Sequence, residues 1–288
     1  MTSPAEHAAT EPQPPVLQSP ALESPAPQSP APDGELPQLP RRPGREARRR
    51  VAATTALLAA VMCLAASVGT WALVAVALLA VAALATGWPA LLALPSPRGT
   101  TALIALGGTL CVLAVGLTRD EPLLSWLAVA LAGSVVAEFV HQLARRDGRP
   151  RMVESSTGAL AGVTILASLS VWVAMPRTEA GAAGVLVTAL PAAVALTFAV
   201  LPASAVATGA VGVLAAAGAG AALGQATTTP VAASAAAGAL AAVVALVTHR
   251  LLAVLPSAGW TPGWLALAVA PLASSGMVAY VAVRLLVG

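Results

Sequence analysis

Charge is what this chain has least of. Only 9% of its 288 residues are charged, lysine is absent altogether, and aromatic side chains make up 3%. An ordinary soluble domain carries about 25% charged residues. With 58% hydrophobic residues, a water-soluble fold of this size is excluded, because it could not cover its surface. The two cysteines, Cys63 and Cys111, both fall inside apolar runs, which leaves no disulfide framework and no thiolate metal site. No Walker A loop, HExxH, CxxC or GxSxG elbow occurs. The acidic repeats and Lys-Asp motifs that hold Mg²⁺ and a nucleotide-diphosphate headgroup in lipid-synthesising membrane enzymes are missing as well. These gaps argue against an enzyme, and no catalytic residue, cofactor, metal or nucleic-acid partner is expected. All fifteen basic residues are Arg. Beside abundant Ala, Val, Gly and Leu, that suggests a GC-rich bacterial genome rather than a physical requirement.

What is present divides into two materials. Residues 1–50 hold twelve of the 24 prolines, with Ser-Pro recurring at Ser19, Ser24 and Ser29. Such a stretch buries too little apolar surface to offset its ordering entropy, so it reads as a disordered tail. It is not a signal peptide, because the first apolar segment starts fifty residues in. The tail suits either a partner-binding or phosphorylatable role or a solvated extension. Residues 51–288 form the second material, with nine Arg and six acidic residues in short clusters between long apolar runs.

A membrane crossing takes about 20 residues of helix. Residues 51–94 carry no charge and make two crossings, with Ser67-Val68-Gly69-Thr70 as the turn and the second ending near Gly87-Trp88-Pro89. A third crossing is expected from about Thr100 to Leu117 and a fourth from about Pro122 to Leu143. The fifth runs from Ser155 to Met175-Pro176-Arg177. Residues 180–248, again without charge, make three crossings broken at Pro202 and Gly224–Thr229. A last one covers about Thr261 to Val287. The fold class is therefore all-α, a polytopic transmembrane helix bundle of about nine spans. Eight is the alternative, if the Ala/Gly-rich 203–223 segment is re-entrant.

Orientation follows from where the arginines fall. Arg41, Arg42, Arg45, Arg48, Arg49 and Arg50 stand just before the first span and put the tail in the cytoplasm. Nine spans then bring Arg98, the loop holding Arg145, Arg146, Arg149 and Arg151, and Arg250 to the same side, and leave the C-terminus outside. The expected location is the inner cell membrane. All six tryptophans (Trp71, Trp88, Trp126, Trp172, Trp260 and Trp264) fall near span ends, where indole favours the wet interface.

One ionisable cluster sits within a span. Glu138 and His141 are three residues apart, hence on one helix face, with Gln142 and Arg145 nearby. An intramembrane carboxylate beside an imidazole points to a proton relay or substrate site. Glu138 is also about 10 Å along the helix axis from Arg145, close enough for a structural ion pair near the interface. The arginines at 145, 146, 149 and 151 and the juxtamembrane run from Arg41 to Arg50 are candidate contacts for anionic lipid headgroups or a partner. They serve equally as topogenic charges. Glu154 followed by three hydroxyl residues reads as a helix start. Small-residue stripes at Thr208, Gly212, Ala216, Gly220 and Gly224, and at Ser234, Gly238 and Ala242, mark helix packing. Pro191 and Pro271 lie mid-span, where broken helices can form transport sites.

Three loop segments carry a resemblance: Gly87-Trp88-Pro89-Ala90-Leu91-Leu92, Pro95-Ser96-Pro97-Arg98-Gly99-Thr100, and the run from His141 to Arg151. On these the chain resembles a group of uncharacterised actinobacterial multi-pass integral membrane proteins. The resemblance implies an inner-membrane location and carries over no activity and no functional residue. Two readings of function remain. One is a non-enzymatic scaffold or envelope component acting through its tail. The other is a small-solute or lipid transporter using Glu138 and His141.

Overall fold

The structure is a computed structural model that describes residues 44–146, 148, 150–259 and 262–287. The tail with Ser19, Ser24, Ser29, Arg41 and Arg42 lies outside the described residues, as do Arg149, Trp260 and the side chain of Arg45. Among the described residues there are nine long helices and no strand. They are α1 (Arg45–Val68), α2 (Thr70–Leu91), α3 (Pro97–Leu117), α4 (Leu127–Ala144), α5 (Met152–Ala174), α6 (Gly181–Phe198), α7 (Ala205–Ala226), α8 (Val231–Ala253) and α9 (Gly263–Ala282). Short turns at Met175–Arg177 and Pro256–Gly259 follow α5 and α8, and a π-helical turn, Val283–Val287, extends α9. Each helix, with these extensions, is long and apolar enough to cross a membrane. The protein is a polytopic membrane protein with nine such helices among its described residues.

The ends alternate. The start of α3 meets the end of α4, the start of α9 meets the end of α2, and the start of α7 meets the end of α8. The end where α1 begins is the N-face and the opposite end the C-face. Leu57, Leu64, Leu79, Leu106, Phe139, Leu143, Leu214 and Leu251 all point outward and are exposed. An exposed apolar belt of this size suits lipid as solvent and would aggregate in water. Within the bundle, α5 and α9 are central, with 72% and 78% of their most apolar stretches buried, against 28% for α4 and 22% for α7. α9 packs on α1, α2, α5 and α8, so it joins the α2–α5 group to the α6–α8 group.

The segment around 203–223 is a full helix of 22 residues rather than a re-entrant loop, which settles the count in favour of nine over eight. Its buried residues are Thr208, Gly212, Ala216, Gly220 and Gly224, the stripe read from the sequence. This four-residue repeat brings α7 onto the backbones of α6 at Ala195 and α8 at Ser234. α1 and α2 are separated by Gly69 alone, whose φ of 144° is out of reach for most other residues. α1 begins at Arg45, so Arg48, Arg49 and Arg50 are helical rather than part of the tail.

Pro191 and Pro271 do not break their helices. Side chains of neighbouring helices bond the α9 backbone on either side of Pro271: Thr55 donates to the Ala268 carbonyl at 2.7 Å and Ser168 accepts from the Met277 N–H at 3.0 Å. Two of the tryptophans depart from the interfacial expectation. Trp71 and Trp126 are exposed at helix starts, whereas Trp88 and Trp172 are almost fully buried. Their indole N–H groups donate to backbone carbonyls of other helices, Trp88 to Gly158 at 2.8 Å and Trp172 to Leu272 at 3.2 Å. These two rings hold helices together instead of marking the water boundary.

At the C-face, Arg177 donates to the carbonyls of Val115 at 2.8 Å and Thr118 at 2.6 Å, capping the end of α3. Arg284 pairs with Glu121 at 2.6 Å and lies over the Tyr280 ring. The hydrogen bond from Arg284, supported by the Leu123 N–H, holds the Glu121 carboxyl below the usual carboxylate range.

Candidate functional site

The buried residues of α4 are Leu127, Ser134, Glu138 and Gln142. Three of these four are polar and recur every four residues, so they line one face. Arg145, just past the helix end, is buried too. Val136, Phe139, Val140 and Leu143 occupy the other face and are exposed. α4 thus turns its apolar side to lipid and a polar seam to the bundle. From Ser134 to Arg145 the seam runs about 16 Å towards the N-face.

Glycines on α3 make room for it. A Cβ at Gly107 would lie 2.8 Å from Ser134 Oγ, and one at Gly99 would collide with the His141 ring. These two approaches set α3 and α4 antiparallel. They put the fully buried Thr100 at the level of His141. α5 closes the third side with Ser155, also fully buried.

Gln142 organises the seam. Its Nε2 donates to Glu138 Oε1 at 2.6 Å and to Ser155 Oγ at 3.3 Å. Its Oε1 accepts from Arg145 Nη1 at 2.9 Å. Arg145 also reaches the Pro150 carbonyl at 3.4 Å. Glu138 and Arg145, which the sequence offers as an ion pair, are therefore joined through an amide that bridges them. Beside this chain of bonds three buried atoms have no hydrogen-bond partner: Glu138 Oε2, His141 Nε2 and Thr100 Oγ1. Buried polar atoms are nearly always satisfied, because each one left unpaired costs about 1–3 kcal/mol. Two of the three lie on α4 and one on α3, and a carboxylate oxygen left in this state can accept a hydrogen bond from a bound group. Among the described residues no three His, Cys, Asp or Glu side chains converge to hold a metal ion.

The arginines separate into distinct environments. Arg145 is turned inward, as above. Arg151, in a left-handed conformation at the start of α5, donates to the Ala93 carbonyl at 3.1 Å and pairs with Glu154. Arg146 and Arg49 are exposed, and Arg50 pairs with Glu46 on the same helix face. Arg48 lies against a cavity at the N-face. The sequence points to Glu138, His141, Gln142 and Arg145 but not to Ser134, Thr100 or Ser155. The four-residue step Ser134–Glu138–Gln142 is the signal that would have added Ser134. Thr100 and Ser155 come from other helices and carry no local mark.

Comparison of the chain with family models, with curated proteins and with solved structures finds no match in any of the three.

Proposed function

We propose that the protein is a small-solute carrier of the cell membrane in which Glu138 and His141 are the coupling groups. In this reading the N-face is cytoplasmic and the C-terminus extracytoplasmic. The observation that carries it is Glu138 Oε2, an acidic oxygen within a bundle helix, 2% of its residue exposed, with no partner. A residue that served packing alone would be better replaced there by an apolar or fully paired side chain, since an unpaired buried acceptor destabilises the fold. A transient partner, a proton or a polar group of the solute, supplies what is missing. His141, one turn on along the same helix, and Thr100 of α3 carry the other two unpaired atoms, and the seam leads from Glu138 towards the N-face. The arginine distribution supports the orientation, because cationic side chains collect at the N-face.

The test is untargeted profiling of metabolites and lipids, in cells and medium, for a strain lacking the gene and complemented with wild type or Glu138→Gln. Gln preserves the shape of the side chain and a hydrogen bond to Gln142. A solute that shifts across the membrane in the deletion strain, returns with wild type and fails to return with an equally abundant E138Q supports the carrier. Restoration by E138Q, or profiles that the deletion leaves unchanged, refutes it. The scaffold reading rests on the composition of residues 1–40 and on no atom of the seam. It expects E138Q to behave as wild type and loss of residues 1–40 to abolish partner recovery.

A further inference from the structure

A second polar site lies on other helices. At the N-face, α1, the α6–α7 connection, the end of α8 and the turn into α9 line a half-open cavity of about 730 Å³. That volume is in the range of pockets that hold drug-sized ligands. Its polar wall is made by Arg48 from α1, His249 and Arg250 from α8, and Ser204 and Thr208 at the start of α7. Among the described residues no Asp or Glu lines it. Arg250 is held in place: its Nη2 donates to Thr208 Oγ1 at 2.8 Å, and its guanidinium lies 3.4 Å from where a Cβ at Gly209 would stand. Ser204 caps α7 by accepting from the Ala207 N–H at 3.2 Å, so the positive end of that helix faces the same space. The rest of the wall is apolar, with Val51, Leu201, Val254, Leu255 and Leu267.

Two guanidinium groups delivered by separate helices, a helix N-terminus and an apolar remainder are the requirements of a phosphate attached to a hydrocarbon chain. Guanidinium groups and helix N-termini both favour phosphate oxygens. The apolar wall suits a chain entering from the bilayer. No carboxylate stands among the described lining residues. We propose that this cavity binds a phosphate-bearing amphiphile, with Arg250 and Arg48 on the phosphate and the apolar wall on the chain. This site is independent of Glu138, which lies on a different helix pair.

Full-length protein purified in a non-ionic, phosphate-free detergent buffer tests it by thermal melting and native mass spectrometry. The probes are dioctanoyl phosphatidic acid, dioctanoylglycerol and glycerol 3-phosphate, with Arg250→Gln and Arg48→Gln as variants. The expected result is saturable stabilisation and mass adducts with phosphatidic acid, weakened at least tenfold by each substitution and absent with dioctanoylglycerol. If glycerol 3-phosphate binds as well as phosphatidic acid, the apolar wall takes no part and the amphiphile is overturned in favour of a soluble phosphate. If glycerol 3-phosphate does not bind, the source is a lipid. Should R250Q fail to fold through loss of the Thr208 bond, R48Q decides alone, since Arg48 lies at the first turns of α1. Binding of phosphatidic acid that neither variant weakens, binding of dioctanoylglycerol at equal strength, or no binding at all overturns the proposal.

Discussion

The α7–α8 seam allows a sharp test of how this bundle is held together. Gly218 and Gly220 lie two residues apart on one helix, so Ala at either gains about the same helix propensity, roughly 0.5–1 kcal/mol. Their surroundings differ completely. A Cβ at Gly218 meets nothing within 4 Å, whereas one at Gly220 would lie 2.5 Å from Ser234 O, 3.1 Å from its carbonyl carbon and 3.2 Å from Ala235 Cα. All three are backbone atoms, so no rotamer change relieves the clash. Restoring an ordinary contact of 3.4 Å requires the helices to part by about 0.9 Å. A gap of that order forfeits about a quarter to a half of the dispersion energy along the seam. Overpacking of this kind costs about 1–3 kcal/mol. G220A is therefore expected to lose about 1–2 kcal/mol net and G218A to gain up to about 1 kcal/mol. At about 2–4 °C per kcal/mol for a chain of this size, the two melting temperatures should differ by about 2–12 °C. Thermal unfolding of both purified variants in one detergent measures it. Melting temperatures within about 2 °C of each other would refute close backbone approach as the basis of the seam.

Two further outcomes follow from single contacts. Trp88→Phe keeps most of the ring but removes the donor to Gly158 O, and should lower stability by about 1–2 kcal/mol in the same assay. An unchanged melt would mean that the bond to Gly158 contributes nothing. The Glu121 carboxyl is held below its ordinary range by Arg284, so the pair contributes above that range and is lost as pH falls through it. The melting difference between wild type and Glu121→Gln should hold from neutral pH down to about pH 4–5 and close below it; a difference that widens on acidification contradicts the pairing.

Much of the architecture is written in one-dimensional spacing. A helix that crosses lipid satisfies its own backbone, so a charge-free stretch of sufficient length specifies a span with little help from tertiary context. That is why the turn at Gly69, the end of α3 at Leu117 and the three crossings between 180 and 253 are legible in the sequence alone. The α7 stripe is legible for the same reason, since small residues at four-residue steps have one efficient use in a bundle. Boundaries set by side-chain partners are less visible. α4 begins at Leu127 rather than near Pro122 because residues 122–126 form a separate turn, and Arg48, Arg49 and Arg50 are taken into α1. Trp88 and Trp172 are the instructive failures: position along the axis places them near span ends, but only the facing helices, with Gly158, Leu272 and Gly276, reveal that they point inward.

The candidate sites divide along the same line. Glu138, His141, Gln142 and Arg145 stand within eight residues, so the helical period alone brings them together. What the sequence does not carry is the bridging role of Gln142. A carboxylate and an arginine seven residues apart suggest a direct pair, yet an amide three residues from one and four from the other intercepts both. Glu138 Oε2 is left without a partner, and on that atom the proposed carrier role rests. The N-face cavity lies at the other extreme. Arg48 and Arg250 come from opposite ends of the chain, and each alone looks like a charge that sets topology. Only packing of α1 against α6, and of α7 against α8, brings them to one cavity. Clusters within one helix can thus be proposed from periodicity, whereas sites shared between helices distant in sequence require the fold.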